Sequence, residues 1–268
     1  MNNTQKSIEI IPFSEFEDTF NSIDSNGKFV FLPLATIQFN QHSEFEDKSF
    51  HFISIWDTGD YEESFFNDFR KNISCIKFKL ENNKYSYPEK LNFPFVDLLS
   101  QAYPLTQQNF QQHFDYFLKP KNYDEFSAED GIFNQGREFV FNSLNGIDKF
   151  ESSHYYERIT QYLYAKEKYN LFDKINPAFT YSETFIGITT TKEEVIADFH
   201  YEGKSKDEII NNLLGTPEWL QSPEEISEKL NLTFIGSVYE GDFTNGTAEI
   251  YLFWDKINNE TYQFFQWT

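Results

Sequence analysis

Apolar and aromatic positions recur along the chain at two different periods, and the switching between them predicts a mixed fold. Residues 28–39 carry Phe29-Val30-Phe31-Leu32 and Ile37-Gln38-Phe39, a β-branched and aromatic run that predicts a strand, with Pro33 marking an edge or a bend. Residues 49–56 alternate, Phe50, Phe52 and Ser54 against His51, Ile53 and Ile55, and Asp57-Thr58-Gly59-Asp60 is the turn that follows. Residues 73–80 predict another strand, turning at Asn82-Asn83 toward Tyr85 and Tyr87. Ser14 and Glu17 have the spacing of a capping box, and Phe16, Phe20 and Ile23 continue at helical spacing until Asn26-Gly27. Residues 61–70 predict a short helix.

The middle of the chain has the longer period. Phe110, Phe114, Tyr116 and Phe117 predict a helix over 107–118, and Tyr155, Ile159, Tyr162, Leu163 and Tyr169 predict one over 152–172. These aromatic stripes are read as core. Between them residues 123–145, with Gly131 and Gly136, read as a long surface excursion. Strand character returns over 179–189, a short helix or its edge over 192–199, and a helix over 205–214 with Ser205 as N-cap and Gly215 as C-cap at positive φ. Residues 223–230 offer a further helical turn. Residues 232–239, 247–254 and 261–267 predict an antiparallel meander with turns at 241–246 and Asn258-Asn259. The fold class is therefore α+β: a mostly antiparallel sheet with peripheral helices and a C-terminal three-stranded meander. The similar ends suggest duplication of a strand–helix–strand unit. One domain over 1–268 is expected, with an acidic N-terminal region over 1–70, a helical middle over 71–189 and a sheet-rich C-terminal region over 190–268.

Composition changes this picture in a few respects. With 39% hydrophobic residues and 32 phenylalanines among 268 residues, a large core is available, since each buried aromatic removes about 150 to 250 Å² from water. The single cysteine, Cys75, lies in a strand pattern and reads as a buried, inert thiol; it has no partner within one chain, which favours a reducing compartment. The opening Met1-Asn2-Asn3-Thr4-Gln5-Lys6 lacks the pattern of a secretory signal, and no stretch has the length of a membrane span, so a soluble, cytoplasmic protein is expected.

Charge narrows the partners. The formal net charge is −21, with 13 acids against 4 bases in residues 1–70, 15 against 13 in 71–189, and 15 against 5 in 190–268. Acidic ends that fold together would add their fields into one negative face, which disfavours nucleic acid and favours a basic protein. The plainer account is that acidity keeps an aromatic-rich chain soluble. Two acidic stretches are candidate partner contacts: Glu44, Glu46 and Asp47 in a predicted loop, and Asp57, Asp60, Glu62 and Glu63 in a turn and helix start. The second lacks the spacing of a calcium loop.

Catalytic chemistry leaves no local signature. His42, His51, His113, His154 and His200 are scattered without metal-ligand spacing, and no phosphate-binding glycine loop or Gly-x-Ser-x-Gly elbow occurs. Neither metal nor cofactor is expected.

The last quarter carries a more specific pattern: Gly215-Thr216-Pro217-Glu218-Trp219-Leu220-Gln221, then Leu232-Thr233-Phe234-Ile235-Gly236-Ser237, Glu249-Ile250-Tyr251-Leu252-Phe253-Trp254 and Phe264-Phe265-Gln266-Trp267. In order and spacing residues 200–268 resemble the closing portion of the YwqG-like family, a bacterial domain of unknown function. The chain departs from that pattern at Leu214-Gly215, where the family has Gly-Gly, and at Gly236-Ser237, where it has Gln. In this motif Gly215, Pro217 and Trp219 read as structural, and Gln221 and Gln266 as paired with each other or with backbone. The resemblance, to a family associated with toxin-neighbourhood genes, and the gathered charge together imply a non-catalytic module, an acidic immunity or antitoxin-like inhibitor of a basic toxin. The alternative is a small-ligand binder or enzyme whose site is assembled from dispersed residues.

Overall fold

The computed structural model describes residues 7–23, 25–40, 44–45, 47–56, 75–87, 96–114, 131–144, 149–175, 209–223, 227, 229–244 and 246–267. The chain divides into two compact units: residues 1–94, 206–241 and 247–268 form the first, and residues 95–205 with 242–246 the second. Among the described residues the first holds the strands and the second the long helices.

In the first unit a three-stranded antiparallel sheet has the order β1 (Ser7–Pro12), β3 (Phe31–Asn40), β4 (Ser49–Ile55). A six-stranded sheet has the order β2 (Phe20–Ser22), β6 (Lys84–Ser86), β5 (Cys75–Glu81), β9 (Glu260–Trp267), β8 (Ala248–Asp255), β7 (Thr233–Tyr239). All its pairings are antiparallel except β2–β6, so the C-terminal meander is present as predicted and the sheet is mixed. The β5–β9 ladder, Cys75 opposite Phe264 through Lys79 opposite Glu260, joins the C-terminal meander to the earlier strands β5 and β6.

The two sheets share one core. Phe20, Phe31, Phe78 and Tyr85 meet ring to ring, with centroids 4.9 to 6.3 Å apart, and Phe50 sits edge-on to Trp254 at 5.4 Å. Strand β4 ends the smaller sheet, and its outward N–H groups are satisfied by side chains of the larger one. The His51 N–H donates to the Tyr85 hydroxyl at 2.9 Å and the Ile53 N–H to Gln263 Oε1 at 2.8 Å. A buried edge therefore keeps its hydrogen bonds without a further strand.

Several elements differ from their sequence patterns, each for a local reason. The capping-box helix is a single turn, α1 (Phe16–Thr19), preceded by Glu15, because Phe20 is drawn into the aromatic core as strand β2. Ser14 does not cap it; its hydroxyl meets Thr36 Oγ1 at 2.6 Å. The strand predicted to begin at Lys28 begins at Phe31, after the helical turn α2 (Gly27–Val30). Pro33 sits where the β3–β4 register shifts, on the middle strand of the smaller sheet rather than on an edge. Residues 209–214, predicted as the end of a helix, instead bridge the outer edge of β7, with Asn211 and Ser237 exchanging N–H···O bonds of 2.7 and 2.9 Å. The left-handed backbone there falls on Asn212 and Leu214, φ 51° and 54°, and not on Gly215. The patterns at 61–70, 179–189 and 192–199 lie outside the described residues.

The second unit contains α3 (Val96–Gln112), α4 (Ile132–Ser143) and α5 (Lys149–Ile175). Helix α3 starts eleven residues before its predicted start and contains Pro104. The surface excursion predicted over 123–145 is, for residues 132–143, the helix α4. Gly136 is present for room: a Cβ there would stand 2.2 Å from the Tyr156 hydroxyl and 2.3 Å from Asn109 Oδ1, which are themselves hydrogen-bonded at 2.8 Å. Gly136→Ala is expected to push this buried pair apart and cost about 1 to 3 kcal/mol, the usual range for overpacking. Urea denaturation checks it, and an alanine variant as stable as the parent would contradict the crossing geometry. Among the described residues no helix is long and apolar enough to cross a membrane.

Candidate functional site

Several exposed carboxylates of the first unit lie on segments that one hairpin turn holds. Asn82 and Asn83 join β5 to β6 with φ of 52° and 63°, the left-handed pair that a two-residue turn requires and that asparagine tolerates. Asn83 Nδ2 donates to the Asp47 carbonyl at 2.7 Å, so the turn holds the connection between β3 and β4. Lys84 Nζ donates to the Glu17 carbonyl at 2.6 Å at the end of α1, and Asn21 donates to the Glu81 carbonyl. Glu15, Glu17 and Asp18 on one side and Glu44 and Asp47 on the other are all exposed.

Not all of this charge is available. Lys256 Nζ pairs with Glu44 Oε1 at 2.6 Å, and the same ammonium stands 5.5 Å from the Trp254 ring and 5.7 Å from that of Phe45. Lys48 adds a second cation 5.3 Å from Trp254. Lys79 lies 2.7 Å from Glu81 and holds that carboxyl below its ordinary range. Exposed pairs of this kind add little to stability, but they cancel charge locally. The hairpin between β8 and β9 ends beside them. Asp255 Oδ1 accepts the Ile257 and Asn258 N–H groups at 2.9 and 3.1 Å, which leaves Ile257 91% exposed at the tip.

Of the residues predicted as partner contacts, Glu44 and Asp47 stand at this acidic end. Glu46, Asp57, Asp60, Glu62 and Glu63 lie outside the described residues. Glu15, Glu17 and Asp18 were not among the predicted contacts, because Glu17 matched a capping box; Lys84 ties α1 to the same β5–β6 turn that Asn83 ties to Asp47.

Behind the turn lies a buried polar line. His51, 2% exposed, has Nδ1 at 2.7 Å from Thr36 Oγ1 and Nε2 at 2.8 Å from the Asn83 carbonyl, with the Tyr85 ring edge-on at 4.8 Å. Burial pushes its pKa from 6.5 to about 4, assisted by the Lys84 charge and opposed by the Asn83 carbonyl and Asp18. The same desolvation raises the Tyr85 phenol well above its ordinary value. Both side chains are neutral at pH 7.

The motif residues assemble on the other face of the larger sheet. Trp219 lays its ring over Tyr251, Phe253 and Phe264, with centroids at 4.5, 5.6 and 6.1 Å, where Cys75, Phe234 and Tyr262 complete a buried cluster. The Tyr251 hydroxyl donates to the Glu218 carbonyl at 2.8 Å and accepts the Leu220 N–H at 2.9 Å. Gln266 Oε1 accepts the Gln221 N–H at 3.1 Å while its Nε2 donates to the Ser222 carbonyl at 2.8 Å, and Gln221 Nε2 reaches the Trp267 carbonyl at 2.6 Å. Each of these polar atoms is used to clamp residues 218–222 onto β8 and β9. Among the described residues no three His, Cys, Asp or Glu side chains are placed to hold a metal ion.

No protein-family model matches the chain, and searches of the curated proteins and of the solved structures find no match.

Proposed function

We propose that this protein is a non-catalytic protein-binding module, an acidic inhibitor of the immunity or antitoxin type that covers a basic protein. The observation that carries this reading is that residues 1–94 fold into one unit with residues 206–241 and 247–268, which brings the N-terminal acidic region together with most of the C-terminal one. Residues 1–70 carry a net charge of −9 and residues 190–268 one of −10, so most of the total of −21 comes from the two ends of the chain. Such a field raises encounter rates with a cationic partner and repels nucleic acid. The exposed carboxylates of Glu15, Glu17, Asp18 and Asp47 around the Asn82–Asn83 turn are the contacts proposed for the described portion of that surface. Partner contacts through Glu46, Asp57, Asp60, Glu62 and Glu63 belong to the same proposal, as does a cytoplasmic site of action. Membership of the YwqG-like family remains part of the same proposal, and in it Trp219, Gln221 and Gln266 serve to dock residues 218–222 on the sheet.

The test is co-expression with the product of the adjacent gene and purification through a tag on that product. A stoichiometric complex that dissociates as salt is raised supports the reading. Failure of the two to co-purify at low salt contradicts it.

A further inference from the structure

Glu44, Phe45 and Trp254 surround one ammonium group. Lys256 Nζ lies 2.6 Å from Glu44 Oε1, 5.5 Å from the centre of the Trp254 ring and 5.7 Å from that of Phe45. The two rings are 5.8 Å apart and inclined at 41°, so they form two walls of a cage whose third wall is the carboxylate. Ring faces carry the negative part of the aromatic quadrupole, and a carboxylate accepts strong hydrogen bonds from a primary ammonium. The cage has the chemistry of a receptor for an alkylammonium group, and the chain's own lysine fills it.

Its walls do not depend on that lysine. Phe45 is stacked on Phe39 at 4.5 Å and meets Phe50 edge-on at 6.0 Å. Trp254 meets Phe50 edge-on at 5.4 Å, and its indole N–H donates to Asn259 Oδ1 at 3.3 Å. The occupant is held less firmly. Lys256 enters from the turn between β8 and β9, and the side chains of Lys256 and Glu44 are 41% and 53% exposed, so their pair is released at little cost. Lys48 brings a second ammonium to the indole, at 5.3 Å, and supplies a comparison for the effect of charge alone.

We propose that the Glu44–Phe45–Trp254 cage is a docking site for a lysine side chain of a basic protein partner, with Lys256 as the internal stand-in that this lysine displaces. The incoming ammonium replaces Lys256 group for group, donating to Glu44 and lying over both rings, and the released Lys256 returns to solvent. Exchange of this kind leaves the net charge of the cage unchanged and lets the partner's lysine use a site that is already formed. The source of that lysine rests on the inhibitor reading above, whereas the affinity of the cage for an alkylammonium group is independent of it.

The test uses n-butylammonium, the lysine side chain without its backbone, titrated into the full chain at constant ionic strength. Binding is read from the Trp254 indole N–H resonance, identified by its absence in Trp254→Phe. An internal ligand weakens the apparent affinity by the fraction of molecules it leaves open, so Lys256→Ala is expected to bind roughly fivefold more tightly than the parent, the factor set by an exposed ion pair of ordinary strength. Lys48→Ala removes the same charge beside the same ring without vacating the cage, and its affinity should stay at the parent value. Adding Glu44→Gln to Lys256→Ala should abolish the gain, and tetramethylammonium, which cannot donate to Glu44, should bind more weakly than n-butylammonium. No saturable shift in Lys256→Ala, an equal gain in Lys48→Ala, or a gain retained in the double variant would each overturn the proposal. These titrations need no partner protein, so a cage that binds n-butylammonium stands even where the adjacent gene product fails to co-purify, and the partner's lysine alone is then withdrawn.

Discussion

A chain ending at residue 244 is expected to lose cooperative unfolding altogether. The deletion removes β8 and β9, and with them the ladder to β5 and the only partner that β7 has among the named strands. It also takes Tyr251, Phe253 and Phe264 from beneath Trp219, and Gln263 from the Ile53 N–H. Truncating one buried aromatic to alanine typically costs about 3 to 5 kcal/mol, and whole domains are stable by about 5 to 15 kcal/mol, so losing three together exceeds what the fold can tolerate. Thermal denaturation followed by circular dichroism checks this. A sharp transition near the parent temperature would mean that the central strands of the larger sheet are dispensable.

Trp219→Ala is expected to cost about 3 kcal/mol, the low end of the range for buried aromatics because the indole is only half-buried. The loss has two sources: three ring contacts, and release of the 218–222 segment whose backbone is held by Tyr251 and Gln266. Trp219→Phe should recover some of it by keeping a ring over Phe253. Urea denaturation gives both values, and a midpoint unmoved by the alanine substitution would show that the motif segment is not bound to the sheet.

The strands were legible where one residue type served both local and tertiary needs. Phe234, Tyr251, Phe253 and Phe264 are good strand formers and also the core, and Asn82-Asn83 and Asn259 take the left-handed conformations their turns require. The helices failed where a residue had a use that periodicity does not encode. The aromatic stripe from Phe110 predicts only the later part of α3, which begins at Val96 and contains Pro104, with the nearby Thr106 hydroxyl bonded to the Ala102 carbonyl within the helix. Gly136 reads as loop but leaves room for the Asn109–Tyr156 pair. Phe20 lies at helical spacing from Phe16, and the 4.7 Å contact between their rings is kept even though the helix ends between them. For the candidate site, the regional charge was visible, whereas the attachment of α1 and of the 44–48 connection to one turn depends on two contacts, Lys84 to Glu17 and Asn83 to Asp47. No local pattern announces contacts between residues 36 and 67 positions apart.

The central claim is that the acidic end steers a basic protein into contact. Its most direct measurement is the association rate constant with the product of the adjacent gene, by stopped flow at about 0.01 M and 0.15 M salt, where the Debye length falls from about 30 Å to about 8 Å. The parent and a variant with Glu17→Gln, Asp18→Asn and Asp47→Asn are compared, substitutions that keep side-chain size and the left-handed backbone of Asp47. The account predicts a rate that drops at least tenfold across this salt range in the parent, and a slower, less salt-dependent rate in the variant. A rate constant that ignores both the salt and the three neutralisations would contradict it.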